Sequence, residues 1–219
     1  MRLRLRWWRE IFFVCALLFS LAALLPLRFA LDWLGYSDKG LAAREATGSI
    51  WLGALTEARF GTVALGDVAT RLRFLPLLLG RARLDLEQAD EGLSGAVTVS
   101  RHGFGIDDAT GTIEAEALAD LPPPTLDLAD LSVRFADGQC VHAEGLVKAR
   151  FAGELVGVSL TAGFSGEARC DGAAVLLPLV SQSGGDRLDV RLFDDGRYRI
   201  DAALRPGGLP YSSRFEGRF

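Results

Sequence analysis

Histidine and cysteine are scarce in this sequence, with two histidines and three cysteines in 219 residues. His102 ("SRHGFG") and His142 ("CVHAEG") have no second ligand or acid at the short spacings of metal sites and catalytic motifs. The acidic pairs Asp107–Asp108 and Asp194–Asp195 fit solvated turns or outward faces. We therefore expect no catalytic residue, no metal and no cofactor, and we expect that the protein is not an enzyme.

Clustered positive charge is also lacking outside the N-terminus. The chain has 24 Lys and Arg against 28 Asp and Glu, and four of its arginines lie within the first ten residues. The remaining, acidic part has no basic stripe of the kind that binds a phosphate backbone. This charge balance argues against nucleic acid as a partner.

One long apolar run follows the arginines. Ile11 to Leu27 contains no charged residue, and the run extends to Leu31 if Arg28 reaches the interface. A cleaved signal peptide is the alternative, but its apolar region is about 7–15 residues and ends in a small-x-small site, which "LRFALDWLG" lacks. We favour a single membrane span over 11–31. The arginines before it place residues 1–10 in the cytoplasm and 32–219 in the periplasm.

Helical periodicity is hard to find beyond the span, whereas alternation of apolar and polar residues is common. "RARLDLEQ" (81–88) alternates throughout, and "RLDVRLFDDGRYRIDAAL" (187–204) reads as two strands around an Asp-Gly turn. The pattern predicts a mainly β protein with a curved, mostly antiparallel sheet. Further strands are predicted near 56–73, 92–103, 109–118, 131–136, 139–151, 158–170 and 172–179.

Two segments interrupt this alternation. "RFLPLLLG" (73–80) fits a short helix or a bent crossing between strands equally well, because it contains Pro76 and is brief. Residues 121–125 include three consecutive prolines, which cannot donate to a β-ladder. We interpret 121–125 as an extended connector within one continuous sheet rather than a domain boundary.

The stretch "ATGSIWLG" (46–53) places Trp51 between Gly48 and Gly53. Turns at the two glycines would leave Ser49–Trp51 as the first strand of the outer domain. Trp51 would then be a core side chain that anchors this strand, with a partner-binding role as the less favoured alternative.

Cys140 and Cys170 are the two cysteines outside the apolar run, and they are a disulfide candidate in an oxidising compartment. A hairpin around "GELVG" (153–157) would place them opposite one another, in a register whose residue numbers sum to 310. The apolar residues are odd-numbered in the first strand and even-numbered in the second. Pairing them on one core face therefore needs a register in which the two residue numbers sum to an odd value. A bulge at Gly145, Gly163 or Gly166 would reconcile the two requirements.

Five segments in order resemble the type II secretion system protein N family, also called general secretion pathway protein N. They are "TGSIWLG" (47–53), "LPLLLGRARLDLE" (75–87), "ADGQC" (136–140), "GEARCDGAAVLLPLVSQSG" (166–184) and "RLDVRLFDDGRYR" (187–199). The resemblance implies an inner-membrane protein of Gram-negative bacteria with a β-rich periplasmic domain and no catalytic residues. The positions that match the family's pattern are Trp51, Gly53, Cys140 and Cys170.

The expected function is that of a scaffold in the machinery that exports folded proteins across the outer membrane. Its partners would be the inner-membrane lipid bilayer and other secretion subunits, namely the inner-membrane platform, with the secretin as a further candidate. The alternative is an anchored carrier that shields lipid or lipopolysaccharide in a β-groove. A solvent-open apolar trough would favour the carrier, and a core closed by packed side chains would favour the scaffold.

Overall fold

The computed structural model describes residues 10–17, 20, 24, 26–27, 41–60, 63–88, 92–115, 123–151, 154–155, 158–159, 163–205 and 210–218. Residues 10–17 are helical and exposed. Much of the predicted span 11–31, and all of 1–9, lie outside the described residues. Among those that are described, no helix has both the length and the apolar character to cross a membrane.

The outer part of the chain is built almost entirely from β-strands, as the alternating pattern predicts. From residue 41 onward, the described residues contain one helix, α1 (Phe74–Leu78), which is a short turn between two strands. The strands are β1 Leu41–Ala42, β2 Glu45–Gly48, β3 Gly53–Phe60, β4 Val63–Arg73, β5 Arg81–Gln88, β6 Ser94–Ser100, β7 Gly103–Ala115, β8 Pro124–Ala136, β9 Gln139–Phe151, β10 Glu154–Leu155, β11 Val158–Ser159, β12 Phe164–Glu167, β13 Arg169–Asp171, β14 Ala174–Ser181, β15 Arg187–Leu192, β16 Arg197–Leu204 and β17 Tyr211–Arg218.

Fifteen of these strands form one antiparallel sheet. Thirteen of them follow the order β1-β3-β4-β5-β6-β7-β8-β9-β12-β14-β15-β16-β17, and the other two join this path at β3 and β14. β2 pairs with β3, β13 pairs with β14, and β10 and β11 form a separate hairpin. Most neighbours in the sheet are also neighbours in sequence, so the sheet is largely a meander. β4 also pairs directly with β7, where Val63 lies opposite Ala115. The β5–β6 hairpin therefore lies between β4 and β7 along most of their length, and β4 and β7 pair with each other past its end.

Bulges occur at several places in the sheet, and three of them carry a non-glycine residue with positive φ. These residues are Glu57, Asp108 and Asp130. Each backbone N–H that leaves the ladder there donates to a side chain on the neighbouring strand: Glu57 to Asp67, Asp108 to Ser132 and Asp130 to Thr110. Since a bulge bends its strand and increases the local twist, these sites support the predicted curvature.

The largest core lies under the C-terminal strands. Phe164, Leu179, Leu188, Ile200 and Leu204 are all at most 4% exposed and belong to one cluster that spans β9 to β16. A second, smaller cluster contains Leu27, Leu55 and Ala58 at the N-terminal end of the sheet. The molecule is therefore packed most densely in its second half.

Several predicted boundaries differ from the structure. The strand predicted at 56–73 is instead the β3–β4 hairpin, in which Phe60 lies opposite Val63. The predicted connector 121–125 overlaps β8, which begins at Pro124, where the first residue of a strand tolerates the missing N–H. β7 and β8 pair directly, so the strands on the two sides of the prolines belong to one sheet. Of the two alternatives for 73–80, the structure has the short helix.

The predicted hairpin around "GELVG" is also wrong. Leu155 lies opposite Val158, so the five-residue loop 153–157 does not form. Phe164 lies opposite Ala149, which gives a sum of 313 and confirms the odd register that the apolar residues require.

Candidate functional site

Trp51 lies in a turn and not in a strand. Gly48 pairs with Gly53, so residues 49–52 form the loop of the β2–β3 hairpin. Ser49 closes the loop, since its N–H donates to the carbonyl of Leu52 and its Oγ accepts the N–H of Leu52. Gly48 has a φ of 81°, which turns the chain out of β2 before Ser49 and explains why the predicted strand Ser49–Trp51 does not form.

The indole of Trp51 packs against α1 rather than inside the sheet. Its ring centroid lies 6.0 Å from that of Phe74, and Trp51 is half-buried. α1 buries none of its own residues. Trp51 therefore belongs to a surface cluster at the N-terminal end of the sheet, which differs from the core role predicted for it.

The end of the predicted membrane span docks beside this loop. Pro26 forms an isolated β-bridge with Ser49, and Leu27 is buried with Leu55. A Cβ at Gly53 would lie 2.6 Å from Cδ2 of Leu27 and 3.0 Å from the carbonyl oxygen of Thr47, so Gly53 is closely packed here. The contact brings the end of the apolar run, the Trp51 loop and β3 together.

Cys140 and Cys170 form a disulfide, with their Cα atoms 5.5 Å apart. The ladder between β9 and β12 covers residues 146–149 and 164–167, and its last contact is the N–H of Ala168 with the carbonyl of Gly145. β13, which carries Cys170, pairs only with β14. The disulfide thus joins β9 to β13 where backbone pairing between them has ended, and Gly145, with a φ of 108°, marks that point.

Asp107 is the most buried carboxylate of the described part of the chain, and sequence reasoning missed it. It is in β7, where Thr98 and Arg134 donate hydrogen bonds to it at 2.7 and 3.1 Å and Arg83 forms an ion pair at 3.0 Å. Burial acts to raise the pKa of Asp107, but the hydrogen bonds from Thr98 and Arg134 and the charge of Arg83 outweigh it and hold the pKa below its ordinary value. Arg83, Thr98 and Arg134 lie on β5, β6 and β8, on the same face of the sheet as Asp107, and no local pattern in the sequence shows that they meet.

Asp107 lies at one side of an open cleft of about 670 Å³. Thr70, Arg73, Asp85 and Glu87 are among its other lining residues. Two of its carboxylates are each held by two arginines, since Asp85 bonds Arg73 and Arg83, and Asp107 bonds Arg83 and Arg134. An anionic acid held by two guanidinium groups is a structural ion pair and a poor proton donor, so neither of these two acids is suited to general acid catalysis.

The two histidines lie apart from this cleft and remain on the surface. His102 contacts Asp137 at 3.4 Å, and His142 contacts Glu144 at 3.3 Å, with both side chains largely exposed. Within the described ranges, no group of three or more His, Cys, Asp or Glu residues could hold a metal ion.

Comparison with known proteins identifies a family. A family model described as type II secretion system (T2SS), protein N, matches residues 39–210. No curated protein and no solved structure matches the chain. The family match covers most of the sheet, from β1 to β16, including the Trp51 loop, α1 and the disulfide.

Proposed function

Since the chain belongs to the type II secretion system protein N family, we propose that it is a non-enzymatic accessory of the type II secretion machinery, anchored in the inner membrane, with its sheet as a scaffold for other subunits. The family match over residues 39–210 is the observation that carries this proposal.

The proposed topology is a single-pass protein with residues 1–10 in the cytoplasm, a span over 11–31 and the sheet in the periplasm. It rests on the uncharged run Ile11–Leu27 and on the arginines that precede it. The disulfide supports a periplasmic position for the sheet, because disulfides persist in that oxidising compartment. The partners we propose are the inner-membrane platform, with the secretin as a further candidate, and the lipid bilayer itself.

A scaffold needs a rigid body, and the C-terminal half supplies one. Its apolar face is filled by its own side chains, with Leu188 and Leu204 1% exposed. Its opposite face carries ion pairs between strands, such as Arg191 with Asp201 at 3.0 Å and Arg199 with Glu216 at 2.7 Å. A core filled by its own side chains is what a scaffold needs, which supports the scaffold over the carrier for this half.

One observation favours the carrier in the middle of the sheet. Val99, Phe104 and Ile106, on β6 and β7, are 36–39% exposed and share one face. A row of half-exposed apolar side chains is a surface on which lipid or lipopolysaccharide could bind. A lipid or lipopolysaccharide carrier therefore remains the second candidate function.

The two functions predict different defects after deletion of the gene. Loss of a secretion component should leave folded cargo in the periplasm, with restoration by the wild-type gene, while a periplasmic marker protein stays inside the cell. Loss of a lipid carrier should instead change outer-membrane composition and raise its permeability to apolar dyes. Normal cargo release in the deletion strain, with or without an envelope defect, would refute the secretion role.

A further inference from the structure

The hairpin loop and α1 present a cluster of apolar side chains to solvent, which we call the apolar tip. Leu52, Phe74, Leu75, Leu78 and Leu79 are 55–81% exposed, and Trp51 joins them through its contact with Phe74. Contiguous apolar surface of this kind on a folded protein marks a site of contact with a partner or a membrane. Neither the core packing nor the ion pairs described above use it.

Arginines flank the apolar tip on both sides. Arg71 and Arg73 precede α1 on β4, and Arg81 and Arg83 follow it on β5. Arg73 and Arg83 bond Asp85, whereas Arg71 and Arg81 are exposed and have no ion-pair partner within the part of the chain that the structure describes. Leucine and aromatic side chains with arginines beside them are typical of segments that lie in the interface of an anionic bilayer.

The position of the predicted span indicates that a membrane, rather than a protein partner, contacts the apolar tip. The run Ile11–Leu27 ends at Leu27, which is buried next to Leu55 and Gly53, and Pro26 is bridged to Ser49. The loop that carries Trp51 and Leu52 therefore begins where the apolar run ends. A membrane that contained the part of this run before Pro26 would have its surface beside the apolar tip.

We propose that the apolar tip is a second membrane contact, which inserts into the headgroup region of the anionic leaflet where the span emerges, with Arg71 and Arg81 facing lipid phosphates. This proposal rests on the anchored topology of the proposed function and not on the secretion role. Together the span and the tip would fix the orientation of the sheet relative to the bilayer, whereas a span alone would leave it free to rotate.

Depth measurement on the full chain tests the proposal. In a Cys15→Ala background with the disulfide intact, Leu78→Cys is labelled with a nitroxide and the protein is reconstituted in phosphatidylethanolamine–phosphatidylglycerol vesicles. The matched control is Asp194→Cys, an exposed site in the β15–β16 turn. We expect the label at 78 to be shielded from a water-soluble nickel relaxant and accessible to oxygen, and the label at 194 to show the reverse.

Electrostatic variants test the role of the arginines. Arg71→Gln and Arg81→Gln should each lower the ratio of shielded to water-exposed label at 78 on the order of fivefold, since one basic residue near an anionic surface supplies about that factor. Phosphatidylcholine vesicles remove the attraction for both arginines at once, so with the wild-type arginines they should lower the same ratio on the order of 25-fold.

A water-exposed label at 78 in the anionic vesicles, with the protein still retained in the bilayer, would overturn the proposal. If that label became shielded only in native envelopes, the apolar tip would bind a protein instead. Release of the chain from the vesicles by alkaline carbonate would refute the anchor of the proposed function, which is a separate failure.

Discussion

Removal of the Cys140–Cys170 disulfide should lower stability by a predictable amount. The two cysteines are 30 residues apart, and a cross-link across a loop of that length reduces the entropy of the unfolded chain by an amount worth about 3.6 kcal/mol at 25 °C. Domains are typically stable by about 5–15 kcal/mol, so the double variant Cys140→Ser/Cys170→Ser should still fold, but with a large fraction of its stability lost.

The structure also predicts which segments should lose stability when the disulfide is removed. The β9–β12 ladder covers residues 146–149 and 164–167 and does not include the cysteines, so it should persist without the disulfide. β9 and β13 have no ladder of their own at the cysteines, so their contact there should open. Hydrogen exchange of the full chain in mild detergent should show faster exchange near 140 and 170, with less change at 146–149.

Urea unfolding measures the magnitude. With a denaturant slope of roughly 2 kcal/mol/M, the midpoint should fall by roughly 1.5–2 M relative to the oxidised protein. Both proteins should carry Cys15→Ala, so that no third thiol can exchange with the disulfide. The wild type after reduction is the control and should show the same fall, because the entropic effect depends on the cross-link and not on the substituted side chains.

A fall of less than about 0.3 M would refute the argument that the cross-link restricts the unfolded chain. If the double variant shows the expected fall in urea midpoint but the reduced wild type does not show the same fall, the serines alter the folded state.

Two further changes test the bulge and the buried ion pair. Gly145→Ala should destabilise the protein by at least about 2 kcal/mol, because the φ of Gly145 is 108° and the new Cβ would lie 2.5 Å from Cα of Leu131. The control Gly172→Ala, where φ is also positive but the space is open, should cost about 1 kcal/mol. Equal urea midpoints for the two variants would contradict the close approach at Gly145. Asp107→Asn should cost about 1–2 kcal/mol at pH 7, a modest value because Arg83 and Arg134 are partly exposed. The Asp107 carboxylate stabilises fully above its ordinary pKa of 3.8, and its contribution is lost as pH falls through the lower pKa of the folded state, so the gap between wild type and variant in urea midpoint should shrink below pH 3.8; a constant gap would refute it.

The strands of the second half could be predicted because their alternation is regular. Leu188, Val190 and Leu192 point to one face and their polar neighbours to the other, and the observed β15–β16 hairpin follows this parity without a bulge. In such a segment the period of two fixes both the strand and its buried face. The family resemblance, drawn from segments throughout the chain, is likewise confirmed.

The buried faces of the strands in the first half were harder to predict from the sequence. The bulges there shift the alternation between buried and exposed residues along a strand. Asp107 and Asp108 are adjacent, yet Asp107 is buried in an ion pair and Asp108 is exposed with a φ of 54°. A pair of acids in sequence is typical of a turn, and only the positions of Arg83 and Arg134 on other strands show that one of them is buried. Such contacts depend on the register between strands, which local pattern does not determine.

Trp51 was misplaced for a related reason. A bulky residue between glycines fits a short strand with two turns and equally fits a single four-residue loop, and Gly48↔Gly53 pairing selects the loop. Leu27, more than twenty residues away in sequence, approaches Gly53 closely at this loop. A distant packing partner of this kind has no signature within "ATGSIWLG" itself.

The two ends of the sheet differ in what holds them, and the difference bears on function. The C-terminal strands bury a large cluster and pair their outer arginines with acids, so that half is stable through its own contacts. The N-terminal cluster is small, and one of its three buried members, Leu27, is the last residue of the uncharged run Ile11–Leu27. Leu27 and the Pro26–Ser49 bridge therefore attach the end of this run to β3 and to the Trp51 loop. A scaffold that must hold a fixed orientation above a bilayer requires such an attachment to its proposed anchor.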